Sequence, residues 1–87
     1  MTTITLHVYN GREYLEVAMP ASTTVRYAVA RCIEALGGDP GSVRGYLATF
    51  NISSKLPPSL QEDDIIEPWD GQYVGVCLPE GGLYCGG

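Results

Sequence analysis

Residues 2–18 read TTITLHVYNGREYLEVA, and this stretch decides the fold. Apolar Ile4, Leu6 and Val8 alternate with Thr3, Thr5, His7 and Tyr9, the period-two pattern of a strand with one buried face. Asn10-Gly11 follows. Both central residues of a type I′ turn need positive φ, so this dipeptide is a strong two-residue hairpin signal. A second strand is expected over residues 12–18. With Asn10-Gly11 as the loop, Tyr9 is expected opposite Arg12, His7 opposite Tyr14, Leu6 opposite Leu15 and Ile4 opposite Val17. Apolar residues then meet apolar residues, with Glu13 opposite Val8 at the sheet rim.

Beyond the hairpin, residues 20–24 form a turn in which Thr23 or Thr24 can cap a helix running to about Leu36. Val25, Val29, Cys32, Ile33 and Leu36 fall on one apolar stripe at helical spacing. Gly37-Gly38 ends it through a left-handed C-cap, and Pro40 confirms the stop. Residues 46–51 suit a short strand. Residues 55–64 hold Pro57-Pro58 and the acidic turn Glu62-Asp63-Asp64, an irregular loop. The last predicted strand is 72–78, introduced by Asp70-Gly71, with Val74, Val76 and Leu78 pointing one way. One amphipathic helix covers one face of such a sheet, giving a two-layer α+β domain. The other face is expected to display Thr5, His7, Tyr14, Glu16 and Tyr73.

Composition narrows the function. At 87 residues the chain holds one small core. Its net charge of −5, with basic residues only at Arg12, Arg26, Arg31, Arg44 and Lys55, offers no basic stripe to neutralise phosphates, so nucleic acid is not an expected partner. Cys32, Cys77 and Cys85 are odd in number and lack metal-ligand spacing, which suggests neither a disulfide framework nor a zinc site. The opening MTTITLHVYNG has no charged leader or cleavage site, and no apolar run of membrane-spanning length appears. A soluble, cytoplasmic protein, unprocessed at its front end and without a membrane partner, is the expectation.

Catalysis by the chain itself is not expected. His7 is the one histidine, and the sequence places no nucleophile and orienting carboxylate beside it. Cys32 belongs to the helix stripe and reads as core packing, and Cys77 as a small filler in the last strand. The acidic run Glu62-Asp63-Asp64 lacks the repeated spacing and glycine of a calcium loop, so no metal site is assigned. No cofactor is called for.

The sequence ends in Gly86-Gly87. A carboxylate that is to be adenylated and passed to a thiol, amine or sulfide must thread a narrow channel, and residues without side chains meet that demand. The opening hairpin followed directly by the sole long helix, the segment Leu60-Gln61-Glu62-Asp63-Asp64-Ile65-Ile66 ahead of the last strand, and Gly86-Gly87 together resemble the ubiquitin-like β-grasp family. The element order of residues 1–78 carries the likeness in fold, and residues 79–87 carry it in the tail. The resemblance implies a mixed sheet of four to five strands packed on one helix, followed by a flexible tail.

It also implies chemistry. Family members ending in diglycine are protein modifiers or sulfur carriers, and this chain, with Tyr84-Cys85 where ubiquitin has a basic residue, is similar in kind to the divergent modifiers of bacterial ubiquitin-like conjugation operons. The expected partners are an E1-like activating enzyme using ATP, an E2-like conjugating enzyme, a peptidase of deubiquitinase type and target proteins. Gly86 and Gly87 are the expected conjugation residues. Leu83, Tyr84 and Cys85 are expected to grip the partner channel, with Gly81-Gly82 as a hinge, over a tail that spans about 30 Å when extended. Lys55 is the expected side-chain acceptor for self-modification, and His7, Tyr14 and Tyr73 form the expected partner surface. The alternatives are a sulfur carrier for cofactor or tRNA thiolation, and a β-grasp interaction module.

Overall fold

Alternation along the first strand produces the burial that its period requires. The computed structural model describes residues 2–49 and 61–86. In it, β1 (Thr3–Tyr9) buries Ile4, Leu6 and Val8 and turns His7 and Tyr9 to the opposite face. β2 (Tyr14–Pro20) pairs with it antiparallel. The connecting loop is longer than the Asn10-Gly11 dipeptide predicts. Asn10 Oδ1 accepts from the N–H groups of Arg12 and Glu13 at 2.9 and 2.8 Å, and Asn10 N–H donates to the Glu13 carbonyl at 3.0 Å. The Asn10 side chain thus organises a loop over residues 10–13. A type I′ turn needs positive φ at both centres, whereas here Gly11 has φ +94° and no non-glycine residue among the described residues is positive.

Register therefore moves by two residues. Tyr9 lies opposite Tyr14, Val8 opposite Leu15, His7 opposite Glu16, Leu6 opposite Val17 and Ile4 opposite Met19. An even slip keeps every side chain on its predicted face. It also replaces Glu13 by Leu15 opposite the fully buried Val8.

The helix α1 (Val25–Ala35) starts at Thr24, whose hydroxyl accepts from Tyr27 N–H at 3.4 Å. Its first amides find further acceptors in the acidic segment, since Val25 N–H donates to the Asp64 carbonyl at 2.8 Å and Arg26 N–H to the Glu62 carbonyl at 3.0 Å. These bonds satisfy donors that a helix start leaves orphaned. The Arg26 guanidinium adds exposed ion pairs to Glu62 and Asp63 at 3.1 and 3.2 Å. Glu62 and Asp63 thus help to dock the turn on the helix. At the other end Gly37 N–H donates to the Glu34 carbonyl and Gly38 N–H to the Ile33 carbonyl, both at 2.9 Å, with Gly37 at φ +85°. This is the Schellman pattern. Val25, Ala28, Cys32, Ile33 and Leu36 are buried, with Val29 packed at the margin.

The remaining strands are β3 (Tyr46–Thr49), β4 (Tyr73–Cys77) and β5 (Leu83–Tyr84). The end of the strand predicted over 46–51 lies outside the described residues. The sheet order is β2-β1-β4-β3, with β1 parallel to β4 and β3 antiparallel to it. The protein is therefore α+β, its described residues forming a five-stranded mixed sheet packed on a single α-helix in the β-grasp manner. Ile66 and Trp69, the latter on a 3₁₀ turn (Glu67–Trp69), close the core beside α1 and the sheet. No periodic pattern in the sequence marks Trp69 as a core residue. The turn is stitched to β1: Asp70 Oδ1 accepts from Thr5 N–H at 3.0 Å and Gly71 N–H donates to the Thr5 carbonyl at 2.7 Å.

Candidate functional site: the returning tail and the aromatic sheet face

The segment after β4 was expected to run free from Pro79, and the structure instead turns it back. Gly81 N–H donates to the Leu78 carbonyl at 2.9 Å and Leu78 N–H to the Gly82 carbonyl at 3.0 Å. Gly81 and Gly82 take φ +101° and +82°, a conformation that a side chain would strain. This pair, read from sequence as a hinge, makes a hairpin turn. β5 then pairs antiparallel with β4, Tyr84 opposite Val76 and Leu83 opposite Cys77. β3 occupies the other side of β4, so β5 lies in line with β1 and fills the edge that β1 vacates at Tyr9.

Alternation sends the two β5 side chains to opposite faces. Leu83 joins Cys77 on the outer face and is exposed. Tyr84 points inward, half-buried against the core, with its hydroxyl end over Gly38. A Cβ built on Gly38 would collide with the Tyr84 hydroxyl and approach its ring carbons to 2.8 and 2.9 Å. Beyond β5, Cys85 is exposed beside Gly11, and Gly86, at φ +108°, lies against the Leu36 carbonyl at the end of α1. Gly87 and Lys55 lie outside the described residues.

The outer sheet face brings His7, Tyr14 and Tyr73 together, as expected, and adds Tyr9. His7 stacks on Tyr73 with ring centroids 4.5 Å apart, Tyr73 meets Tyr14 edge-on at 4.8 Å, and Tyr14 meets Tyr9 at 5.3 Å. The order follows from pairing: His7 and Tyr73 are cross-strand partners, and so are Tyr9 and Tyr14. His7 faces Glu16 on β2, so its predicted pairing with Tyr14 is corrected, and Tyr73 bridges the two rings instead. Tyr46, opposite Cys77, extends the same face toward β3 and β5. Strand parity alone would have placed Tyr46 there once β3 was paired with β4. Tyr14, Tyr46 and Tyr73 are 42%, 57% and 46% exposed, which leaves ring surface open to solvent. Among the described strand residues on this face Glu16 is the one formal charge at neutral pH, on a chain of net charge −5.

The close neighbours of His7 on this face are the Tyr73 ring and its cross-strand partner Glu16. Burial pushes the Cys32 thiol up to about 12, which keeps it protonated and unreactive. No cluster of metal-ligating side chains occurs among the described residues. A cleft of about 460 Å³ between α1 and β3, lined by Val29, Ile33, Arg44, Tyr46 and Trp69, contains neither histidine nor cysteine among the described residues. No helix among the described residues is long and apolar enough to cross a membrane. Comparison with family models and with curated proteins finds no match for the chain.

Proposed function

We propose that this protein is a ubiquitin-like modifier, activated at the carboxylate of Gly87 by a partner enzyme and joined through it to amines on target proteins. The observation that carries the reading is the Gly86-Gly87 pair following the last strand of a β-grasp body. The aromatic face supplies docking surface apart from the reacting end, as a protein-shaped substrate needs. Three free cysteines fit a reducing cytoplasm.

In the reaction, a Gly87 carboxylate oxygen attacks the α-phosphorus of ATP and releases pyrophosphate. A thiolate of the partner then attacks the acyl carbon and expels AMP, and a target amine displaces that thiol to leave an amide. The chain acts as a substrate throughout: it binds, presents its end and supplies the acyl carbon. Conjugating enzyme and peptidase are the further partners of this cycle, and Lys55 is the side chain available for self-modification.

Intact-mass measurement tests this directly. After incubation with an activating enzyme and ATP, a covalent thioester with the enzyme is expected, and its loss on deleting Gly87. A product in which sulfur replaces one terminal oxygen would establish the sulfur carrier instead. A second reading, an interaction module with no acyl chemistry, draws support from the fit of Gly86 against the Leu36 carbonyl at φ +108°, which gives that glycine a packing role of its own. No adenylate with any candidate enzyme, together with capture of a partner by the aromatic face, would establish the module.

A further inference from the structure

We infer that the returning tail is a latch that withholds Gly86 until a partner opens it, and that Tyr84 seated on Gly38 is its catch. The gating consequence rests on the modifier reading, whereas the closure stands without it. Three contacts at separate places hold the segment down. β5 is zipped to β4 through Val76 and Cys77, Tyr84 lies on the Schellman cap of α1, and Gly86 rests against the Leu36 carbonyl.

Gly38 is the telling residue. The helix cap needs positive φ only at Gly37, and Gly38 does not share it. What excludes a side chain at Gly38 is the Tyr84 ring. The second glycine of the helix terminator is thus explained by the tail, not by the helix. Gly81 and Gly82 make the reversal tight enough for Tyr84 to reach Gly38.

An enzyme channel that receives Gly86 as an extended strand cannot do so while Gly86 lies on Leu36. The tail must first peel from β4, and a partner that takes only the open form has its apparent affinity lowered by the open fraction. Leu83 connects the two events, because it shares the outer face with Cys77 and Tyr46 and so adjoins the aromatic docking surface. A partner seated on that face reaches β5 from outside.

The experiment pairs amide hydrogen exchange with enzyme loading in wild type, Gly38→Ala and Tyr84→Ala. Gly38→Ala keeps every tail residue, and its backbone tolerates a Cβ, so it evicts Tyr84 without altering what a channel reads. In wild type the Leu78 and Gly81 amides, both hydrogen-bonded in the turn, should be protected. Both variants should speed their exchange by about tenfold or more, leaving β1 and α1 unchanged. At limiting activating enzyme, Gly38→Ala should load about threefold faster or more. Unprotected turn amides in wild type, or unchanged exchange in both variants, would overturn the latch. Faster exchange with wild-type loading would overturn its gating role. Failure of wild type itself to load would overturn the modifier reading and the gating with it, while exchange still decides whether the tail is closed.

Discussion

Replacing Ile33 by alanine isolates the contribution of the helix to the fold. Ile33 is 1% exposed and sits mid-stripe on α1, between the helix and the sheet. The change removes three buried carbons, about 0.8 kcal/mol each in transfer, and a cavity term raises the total to about 3–4 kcal/mol. A chain of this length has about 4–13 kcal/mol of stability in all, so the loss is a large share of it. With the usual unfolding entropy per residue, the midpoint temperature should fall by about 15–20 °C. Urea denaturation followed by circular dichroism should show a lower midpoint at unchanged slope, the sign of lost stability without a changed unfolded state. Cys85→Ser is the control. Its side chain is exposed beside Gly11, so it should cost under about 0.5 kcal/mol. An Ile33→Ala cost below about 1 kcal/mol, or a Cys85→Ser cost equal to it, would refute the assignment of stability to the helix stripe.

Gly45→Ala should destabilise by about 1–3 kcal/mol through overpacking, because a Cβ there would meet Val76 Cγ1 at 2.6 Å and the Cys77 carbonyl oxygen at 3.0 Å; thermal melts check it, and a neutral result would mean β3 and β4 can separate freely. Burial raises the Cys32 thiol from 9.0 to about 12. The unfolded chain therefore sheds that proton first, and stability should be intact below pH 9.0 and fall between there and about 12. Denaturation midpoints across that alkaline range should decline less steeply in Cys32→Ala, and equal slopes would show that Cys32 is not the source. Tyr14→Ala should raise the partner concentration needed for half-maximal loading and leave the maximal rate unchanged; steady-state kinetics showing a reduced maximal rate instead would place Tyr14 in alignment, not docking.

Much of this molecule is determined locally. Ile4, Leu6 and Val8 declare a strand by their period, Thr24 and Gly37 bound the helix by the cap geometry each favours, and Val25, Cys32, Ile33 and Leu36 mark its buried stripe. Strand parity likewise put His7, Tyr14 and Tyr73 on one face before their partners were known. The loop of the first hairpin was less legible, because the Asn10 side chain competes with the backbone for the same amides and favours a longer turn. Even so, the two-residue slip changed cross-strand partners and left the faces alone. Trp69 was unreadable because its burial depends on the 3₁₀ turn fitting beside β1, a contact between segments distant in sequence. The course of residues 79–86 was illegible for the same reason. Gly81-Gly82 is equally compatible with a hinge and a turn, and two residues of β-structure leave almost no periodic signal. What selects the turn is the edge of β4 left open where β1 departs, together with the bare cap at Gly38 that admits Tyr84. Sequence alone determined the elements, their faces and the glycines at the end, since period and capping act within a few residues. Only the tertiary structure decided where Gly86 rests, because a strand edge and a steric gap exist only once distant segments have met.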